Sequence, residues 1–332
     1  MSKKILITGA SGFVGFHLIE KAHEAGFEVH AAVRKSSNIK DIEPYVRKFV
    51  YPDFNCVDNL VQLLEEERYD YIIHAAAMTK AKSEAEMFNV NVGYTEHLLK
   101  AAFDKATVPP KQFVFVSSLA AVGPVKYEDS DITENTPYNP VTVYGRSKKA
   151  AEGMIHEKFL HKPITIIRPT AVYGPREKDI FILFETMNKG LDAYIGKNPQ
   201  KLSFVYVLDL VDILLRACEN NSTEVSTFNI TDGNAYSRYA MADIFSETLG
   251  KKLWRVHLSY PLVEKIAMLS AWFYKNSKKT PVLYPERLNE LTAQNWACDI
   301  QLAKDKLGFM PKYDLKTGLK ASLLWYKKNN WF

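Results

Sequence analysis

The stretch Thr8-Gly9-Ala10-Ser11-Gly12-Phe13-Val14-Gly15 follows the apolar run Lys4-Ile5-Leu6-Ile7 without a gap, so the chain must turn sharply where a first strand ends. Beyond the turn, Val14, Leu18, Ala22 and Ala25 recur at helical spacing, and Gly26 closes the segment as a C-terminal cap does. The result is a strand, a tight turn and a helix. Glycine admits positive φ in such a turn. Bare Cα atoms also let a pyrophosphate approach the helix N-terminal amides, where the macrodipole favours negative charge. Gly9, Gly12 and Gly15, with Ser11, Phe13 and Val14 between them, are therefore the candidates to hold a dinucleotide.

The next strand, Glu28 to Val33, ends in Arg34-Lys35-Ser36-Ser37, where an NAD-preferring site usually places an acid for the ribose 2′-hydroxyl. A guanidinium suits a 2′-phosphate instead, because it donates bidentate, charge-assisted hydrogen bonds. Arg34 and Lys35 thus point to NADP, with NAD as the other possibility and a solvated basic strand end as the plainer reading. A third apolar stretch, Lys48 to Val50, leads to Asp53 and Phe54, which suit an adenine edge or simply a solvated loop. Tyr71 to Ala77 reads as a fourth strand whose small Ala75, Ala76 and Ala77 let backbone approach the cofactor. His74 within it is assigned to packing.

Gln112 to Ser118 is an apolar strand ending in two hydroxyls at the carboxyl edge, where open α/β sheets bind ligands. Serines also end strands for turn chemistry alone. About 26 residues on, Tyr144 and Lys148 stand four apart at the start of a helix and share one face. A free phenol has a pKa of about 10, and bringing it to about 7 takes roughly 4 kcal/mol, which an ammonium and an oxidised nicotinamide could supply. Tyr144 could then exchange a proton with a carbonyl or alcohol, Lys148 hold the ribose, and Ser118 orient the carbonyl. With 18 tyrosines in the chain the spacing alone proves little, and Tyr274 with Lys278 repeats it. That second pair lies in an apolar-aromatic stretch with no strand-end serine before it, so it is assigned to packing plus a surface charge.

Together these residues resemble the extended short-chain dehydrogenase/reductase family over nearly the whole chain. Further matches are Asn91-Val92, which resembles the family's structural asparagine, the run from Ile166 to Pro175, the run Phe204 to Asp209, and Ala303 to Pro311, which looks like its closing helix and turn. The resemblance implies a Rossmann-type, doubly wound parallel sheet with a smaller C-terminal α/β substrate domain. It also implies Ser118, Tyr144 and Lys148 as the catalytic set, and Asn91 and Pro169 beside the cofactor. Tyr94 departs from the family's usual glycine, which implies a local packing change.

The family holds nucleotide-sugar epimerases and dehydratases as well as carbonyl reductases and hydroxysteroid dehydrogenases. Nucleotide-sugar members carry Asn where this chain has Ala171, an Arg where it has Lys201-Leu202-Ser203, and Arg-Pro-Gly-Asp where it has Thr292 to Asp299. Without a fork-like cation a diphosphate forfeits strong charge-assisted bonds. Dehydratases show Asp-Glu where Leu119-Ala120-Ala121 stands. The end of strand two is instead similar to dihydroflavonol reductase-like and 3β-hydroxysteroid dehydrogenase-like members. The expected activity is therefore NADP-dependent reduction of a ketone or aldehyde, or oxidation of a secondary alcohol. The alternatives are a nucleotide-sugar epimerase using bound NAD and a non-catalytic NADP-binding regulator.

At 332 residues the chain can bury a sizeable core. The expected organisation is a dinucleotide-binding domain over residues 1–170, to which a later strand or two around 203–232 return, and a mainly substrate-binding part over 171–332. A net charge of +5 is too slight and too interspersed with acids to suggest nucleic acid, and no nucleic-acid partner is expected. Cys56, Cys218 and Cys298 lack metal-like spacing, and the first strand begins almost at once, so a cytoplasmic protein without metal is expected. No membrane partner is expected either, because the apolar stretch Pro261 to Tyr274 contains Glu264 and Lys265 and is too short to span. Its aromatics are expected to line the cleft or cover the core, and Lys275 to Lys279 to form a solvated loop nearby. The resemblance implies a homodimer through the Tyr144 helix and its neighbour.

Overall fold

Residues 2–274 and 283–332 are described by the structure, a computed structural model. Lys278 of the second Tyr-Lys pair and the Lys275 to Lys279 loop lie outside the described residues. The first half alternates strand and helix: β1 (Lys4–Thr8), α1 (Phe13–Glu24), β2 (Glu28–Ala32), β3 (Lys48–Val50), α2 (Val57–Glu67), β4 (Tyr71–His74), α3 (Glu84–Phe88), α4 (Tyr94–Ala102), β5 (Gln112–Val116), α5 (Val143–Phe159) and β6 (Ile164–Pro169). The second half is less regular: β7 (Ala171–Tyr173), α6 (Phe181–Asn188), β8 (Leu191–Ile195), β9 (Lys201–Leu202), β10 (Phe204–Tyr206), α7 (Val207–Ala217), β11 (Ser226–Ile230), β12 (Tyr236–Ser237), α8 (Ala240–Leu249) and β13 (Trp254–Leu258). Four helices end it: α9 (Tyr260–Tyr274), α10 (Pro285–Thr292), α11 (Gln301–Leu307) and α12 (Leu315–Lys328).

Seven strands form one parallel sheet in the order β11-β6-β5-β4-β1-β2-β3. Helices cover both faces, so β4 and β6 are buried along their whole length, which is why such strands read as continuous apolar runs. Strand order reverses between β1 and β4, and the crevice at their carboxyl ends is the ligand position of this architecture. Thr8 pairs with His74 across that point, so the glycine turn and Ala75 leave the sheet side by side.

Of the later strands, β11 joins this sheet beside β6, whereas β10 pairs with β7 in a separate two-stranded sheet. The free edge of β6 is already occupied by β11, and β7 is what remains for β10. A second core of Phe184, Phe245, Leu319, Leu323 and Tyr326 joins α6, α8 and α12. The Phe204–Asp209 run and the closing segment meet directly, since the Asp209 carboxylate accepts from the amides of Lys312 and Tyr313 at 3.0 Å each. At the chain's end, Tyr326 donates to Gly174 O at 2.7 Å, and Tyr326, Trp331 and Phe332 all pack against Phe181 at the start of α6.

One charged pair lies inside the main fold. Arg168 of β6 and Glu152 of α5 are 2% and 0% exposed, joined at 2.7 Å. Glu152 also accepts from Ser117 at the end of β5 and from Tyr138, which itself touches Arg168. Burial works against the Arg168 charge, and the Glu152 carboxylate more than offsets it. Removing one partner of such a pair costs about 3 to 5 kcal/mol, because the other charge stays buried and unpaired. Chemical denaturation of Glu152→Ala should show a loss of that size, and Glu152→Leu combined with Arg168→Met should recover part of it. Equal losses in the two variants would mean that the pairing is not what matters.

Candidate active site

The glycine turn is built for close approach. Gly9 has φ +71°, and a Cβ there would sit 2.7 Å from the backbone of Ala75 and Ala76. Gly15 lies so close to Gly9 O and, at 2.8 Å, to the Ala10 backbone that only hydrogen fits. The α1 N-terminus has Gly12 as its cap, with no side chain bonded to its amides and no acid in its first turn. Unpaired amides, a helix dipole and bare Cα atoms fit a pyrophosphate. Ser11 is exposed over this turn, and Phe13 and Val14 are half-buried beside it.

The flanking candidates gather at the same carboxyl edge. Arg34 and Lys35 are exposed just past β2. Asp53 is exposed and folded onto Asn55, accepting from its amide at 3.0 Å. Phe54 stacks on Tyr94 at 5.6 Å, so the residue that replaces the family's glycine fills space against an aromatic. Ala76 N donates to Thr8 Oγ1 at 3.1 Å, tying β4 to β1, and Ala75 is half-buried while Ala77 is exposed. Asn91 is turned inward: its side chain bonds both backbone groups of Met78 and donates to Ser147 Oγ at 2.9 Å. It braces the β4 exit against α5.

His74 lies between Thr8 Oγ1 at 2.8 Å and Thr95 Oγ1 at 3.0 Å. Thr95 spends its proton on Asn91 O, so the network assigns the imidazole proton to Nε2. Burial, aided by the Lys148 charge, pushes His74 down to about 3, so it is neutral and structural.

Ser118, Tyr144, Lys148 and Pro169 come together where β5, α5 and β6 meet. Gly145 allows it, because a Cβ there would run into Ala120 O and reach Pro140 at 3.0 Å. The first turn of α5, capped by Thr142 Oγ1 accepting from Gly145 N at 3.1 Å, therefore lies directly on the Leu119–Ala121 turn that Ser118 begins. Ser118 and Tyr144 share a hydrogen bond. Lys148 is buried, donates to Val116 O at 2.7 Å and sits 4.6 Å from the centre of the Phe115 ring.

The electrostatics differ from the sequence expectation. Burial pushes the Tyr144 phenol up to about 12, with Ser118 opposing and the Glu290 charge adding to the rise. Lys148 is pushed down to about 7 by burial, which the Glu152 carboxylate partly offsets. The protein's own groups thus keep the phenol protonated instead of lowering it. In this arrangement the Lys148 ammonium is directed at Val116 O and the Phe115 ring.

Tyr144, Ser118 and Pro169 form one wall of a cavity of about 450 Å³. Leu183, Met187, Phe204 and Met241 give it an apolar lining. Arg238, Arg287 and Glu290 also line it, and the sequence reading did not single them out. Arg238 is fixed by donating to Asn198 O at 2.7 Å and Ile195 O at 2.8 Å, and burial pushes the Glu290 carboxyl up. Trp296, from the segment that stands where the family has Arg-Pro-Gly-Asp, closes one side. Of the second-half aromatics, Tyr194 lines this cavity and Phe181 and Phe184 are core, whereas Trp254, Trp272 and Phe273 are exposed. The expectation that the Pro261 to Tyr274 aromatics cover core or cleft therefore fails for Trp272 and Phe273. No group of metal-ligating side chains occurs among the described residues.

Two curated relatives align over almost the whole chain. An Escherichia coli O157:H7 N-acetyl-alpha-D-glucosaminyl-diphospho-ditrans,octacis-undecaprenol 4-epimerase is 28% identical over 97% of this chain and 95% of its own length. A Candida albicans sterol-4-alpha-carboxylate 3-dehydrogenase (decarboxylating) is 25% identical over 98% of each. The solved UDP-glucose 4-epimerase of Thermotoga maritima, at 22% identity, superposes with a TM-score of 0.78 over 98% of this chain and 99% of that one, a likeness of fold. The model of the NAD dependent epimerase/dehydratase family matches residues 5–231. Because that match runs from the first strand of the large sheet past its last, and takes in the glycine turn and the Tyr144 helix, this chain belongs to the NAD dependent epimerase/dehydratase family, within the extended short-chain dehydrogenases/reductases.

Proposed function

We propose that the protein is an oxidoreductase that moves hydride between a nicotinamide, NADPH by preference, and an apolar ketone, aldehyde or secondary alcohol. The observation that carries this reading is the state of Tyr144: bonded to Ser118, pushed up to about 12, on the wall of a cavity lined by Leu183, Met187 and Phe204. Such a phenol is protonated at neutral pH and enters the reaction as an acid. A carbonyl oxygen seated between Tyr144 and Ser118 accepts a hydrogen bond from each, and the Tyr144 proton crosses to it as negative charge develops. Bound nicotinamide supplies the hydride. Lys148, one turn along α5, favours the phenolate that remains, and in the oxidative direction that phenolate takes the alcohol proton. The sterol dehydrogenase among the relatives supports an apolar alcohol or ketone.

The cofactor preference rests on Arg34 and Lys35, exposed past β2 with no acid in the Val33 to Ser37 run. A second reading, epimerisation of a sugar carried on a diphosphate, is favoured by Arg238 and Arg287 in the same cavity and by the E. coli relative.

Steady-state oxidation of NADPH and NADH against a panel of ketones and aldehydes should reveal net turnover, and Tyr144→Phe should lower kcat by about a hundredfold to ten-thousandfold. No net oxidation, with NAD released only on denaturation, would establish the epimerase reading instead. In the same assay Arg34→Asp should weaken NADPH by about tenfold to a hundredfold and leave NADH nearly unchanged; equal losses would overturn the preference. Lys148 in the free enzyme carries its proton below about 7 and loses it above. If the ammonium is the active form, kcat/KM for reduction falls with a one-proton slope as pH rises through about 7, while Tyr144, at about 12, adds no limb near neutrality. A flat profile through that range would remove Lys148 from this role.

A further inference from the structure

Among the described residues, helix α9 is attached to the rest of the chain along one side. Val263 and Ala267 are buried with Leu288 of α10, and Ile195 and Leu283 pack beside them. On a helix that turns about 100° per residue, the opposite arc carries Leu262, Ile266, Leu269 and Phe273 in one stripe, with Met268 and Trp272 next to it. All six are exposed, Trp272 and Phe273 at 67% and 66%. Lys265 is the one charged residue of that arc, since Glu264 is half-buried towards the other side. A helix facing water normally carries polar residues there, and a continuous apolar surface of this kind marks a site of interaction.

We propose that α9 is a membrane-surface helix that seats this arc in the headgroup region of an anionic lipid bilayer. The position of Lys265 favours lipid over a second copy of the chain. It lies near the centre of the arc, so a two-fold interface built on this face would bring two ammonium groups together with no acid on the arc to neutralise them. At a bilayer the same side chain lays its stem along apolar surface and extends its charge to lipid phosphates. Tryptophan beside lysine is the composition of interfacial helices. The sequence continues past Tyr274 with Lys275, Lys278 and Lys279, basic residues that complement anionic lipid.

The attached side of α9 borders a second cavity. Ala271 and Tyr274 of α9 line a cavity of about 410 Å³ whose lining includes Tyr144. That side is opposite the apolar arc, so a docked α9 would lie between this second cavity and the lipid. Helix α9 has 15 residues, and no helix among the described residues is long and apolar enough to cross a bilayer. The lack of a spanning segment, on which no membrane partner is expected, does not bear on a helix lying in the membrane plane. The proposal holds for either direction of the chemistry and for either cofactor.

The test is flotation of the whole protein with vesicles of phosphatidylcholine alone and of phosphatidylcholine mixed with phosphatidylglycerol, alongside Leu269→Glu/Phe273→Glu. The parent should float with the mixed vesicles and less with phosphatidylcholine alone, with a blue shift of tryptophan emission. The double variant should lose about tenfold or more of that binding. Its thermal transition and size-exclusion profile should match the parent's, since both side chains are already exposed. Failure of the parent to float, or equal flotation of parent and variant, would overturn the proposal. A parent that self-associates without lipid and is made smaller by the same substitutions would overturn it too, in favour of an interface between copies.

Discussion

The bonding between Arg168 and Glu152 fixes the relation of β6 to α5, and everything in the candidate active site hangs from those two elements. Glu152 lies one turn beyond Lys148 and two beyond Tyr144, Arg168 immediately precedes Pro169, and Ser117, which bonds Glu152, immediately precedes Ser118. A single carboxylate thus holds the roots of Ser118, Tyr144 and Pro169, which meet at the cavity, and of Lys148 behind them. It does so from the face of α5 that is dry, so the ion pair costs desolvation and returns geometry. Rigid support of this kind is what keeps a proton donor within hydrogen-bond reach of a substrate oxygen.

The same burial sets the chemistry. Tyr144 and Lys148 are both driven towards their neutral forms, the phenol up and the ammonium down, because the low-dielectric surroundings disfavour either charge. A protein that places its acid and its cation in one dry region leaves the balance between them to whatever else enters. The apolar cavity wall serves the same end by keeping water from the phenol.

Much of the cofactor half was legible because its signals are local. Gly9 and Gly15 stand where backbone meets backbone, and Tyr144 and Lys148 declare their shared face by spacing. The alternation of strand and helix up to β6 follows from period alone. What escaped depended on contacts between distant parts of the chain. Nothing around Glu152 distinguishes it from a surface glutamate, since its partner lies 16 residues on and in another element. Arg238 and Glu290 reach the cavity from α8's approach and from α10, and their neighbours in sequence say nothing about it. The pairing of β10 with β7 was equally hidden, being decided by which sheet edge β11 had already taken. The arc of α9 is hidden for a related reason: apolar residues along a short segment suit a buried face, and the sequence alone does not separate that from the exposed arc the structure shows.

The contacts of the chain's end carry one more consequence. Tyr326, Trp331 and Phe332 hold Phe181, the first residue of α6, and the same helix contributes Leu183 and Met187 to the cavity wall. During synthesis the dinucleotide half can begin to assemble while the rest of the chain is still inside the ribosome. The cavity wall on α6 depends on residues far later in the sequence than α6 itself. Synthesis from the N-terminus therefore makes the glycine turn and the Tyr144 helix available before the side chains that hold α6 in place.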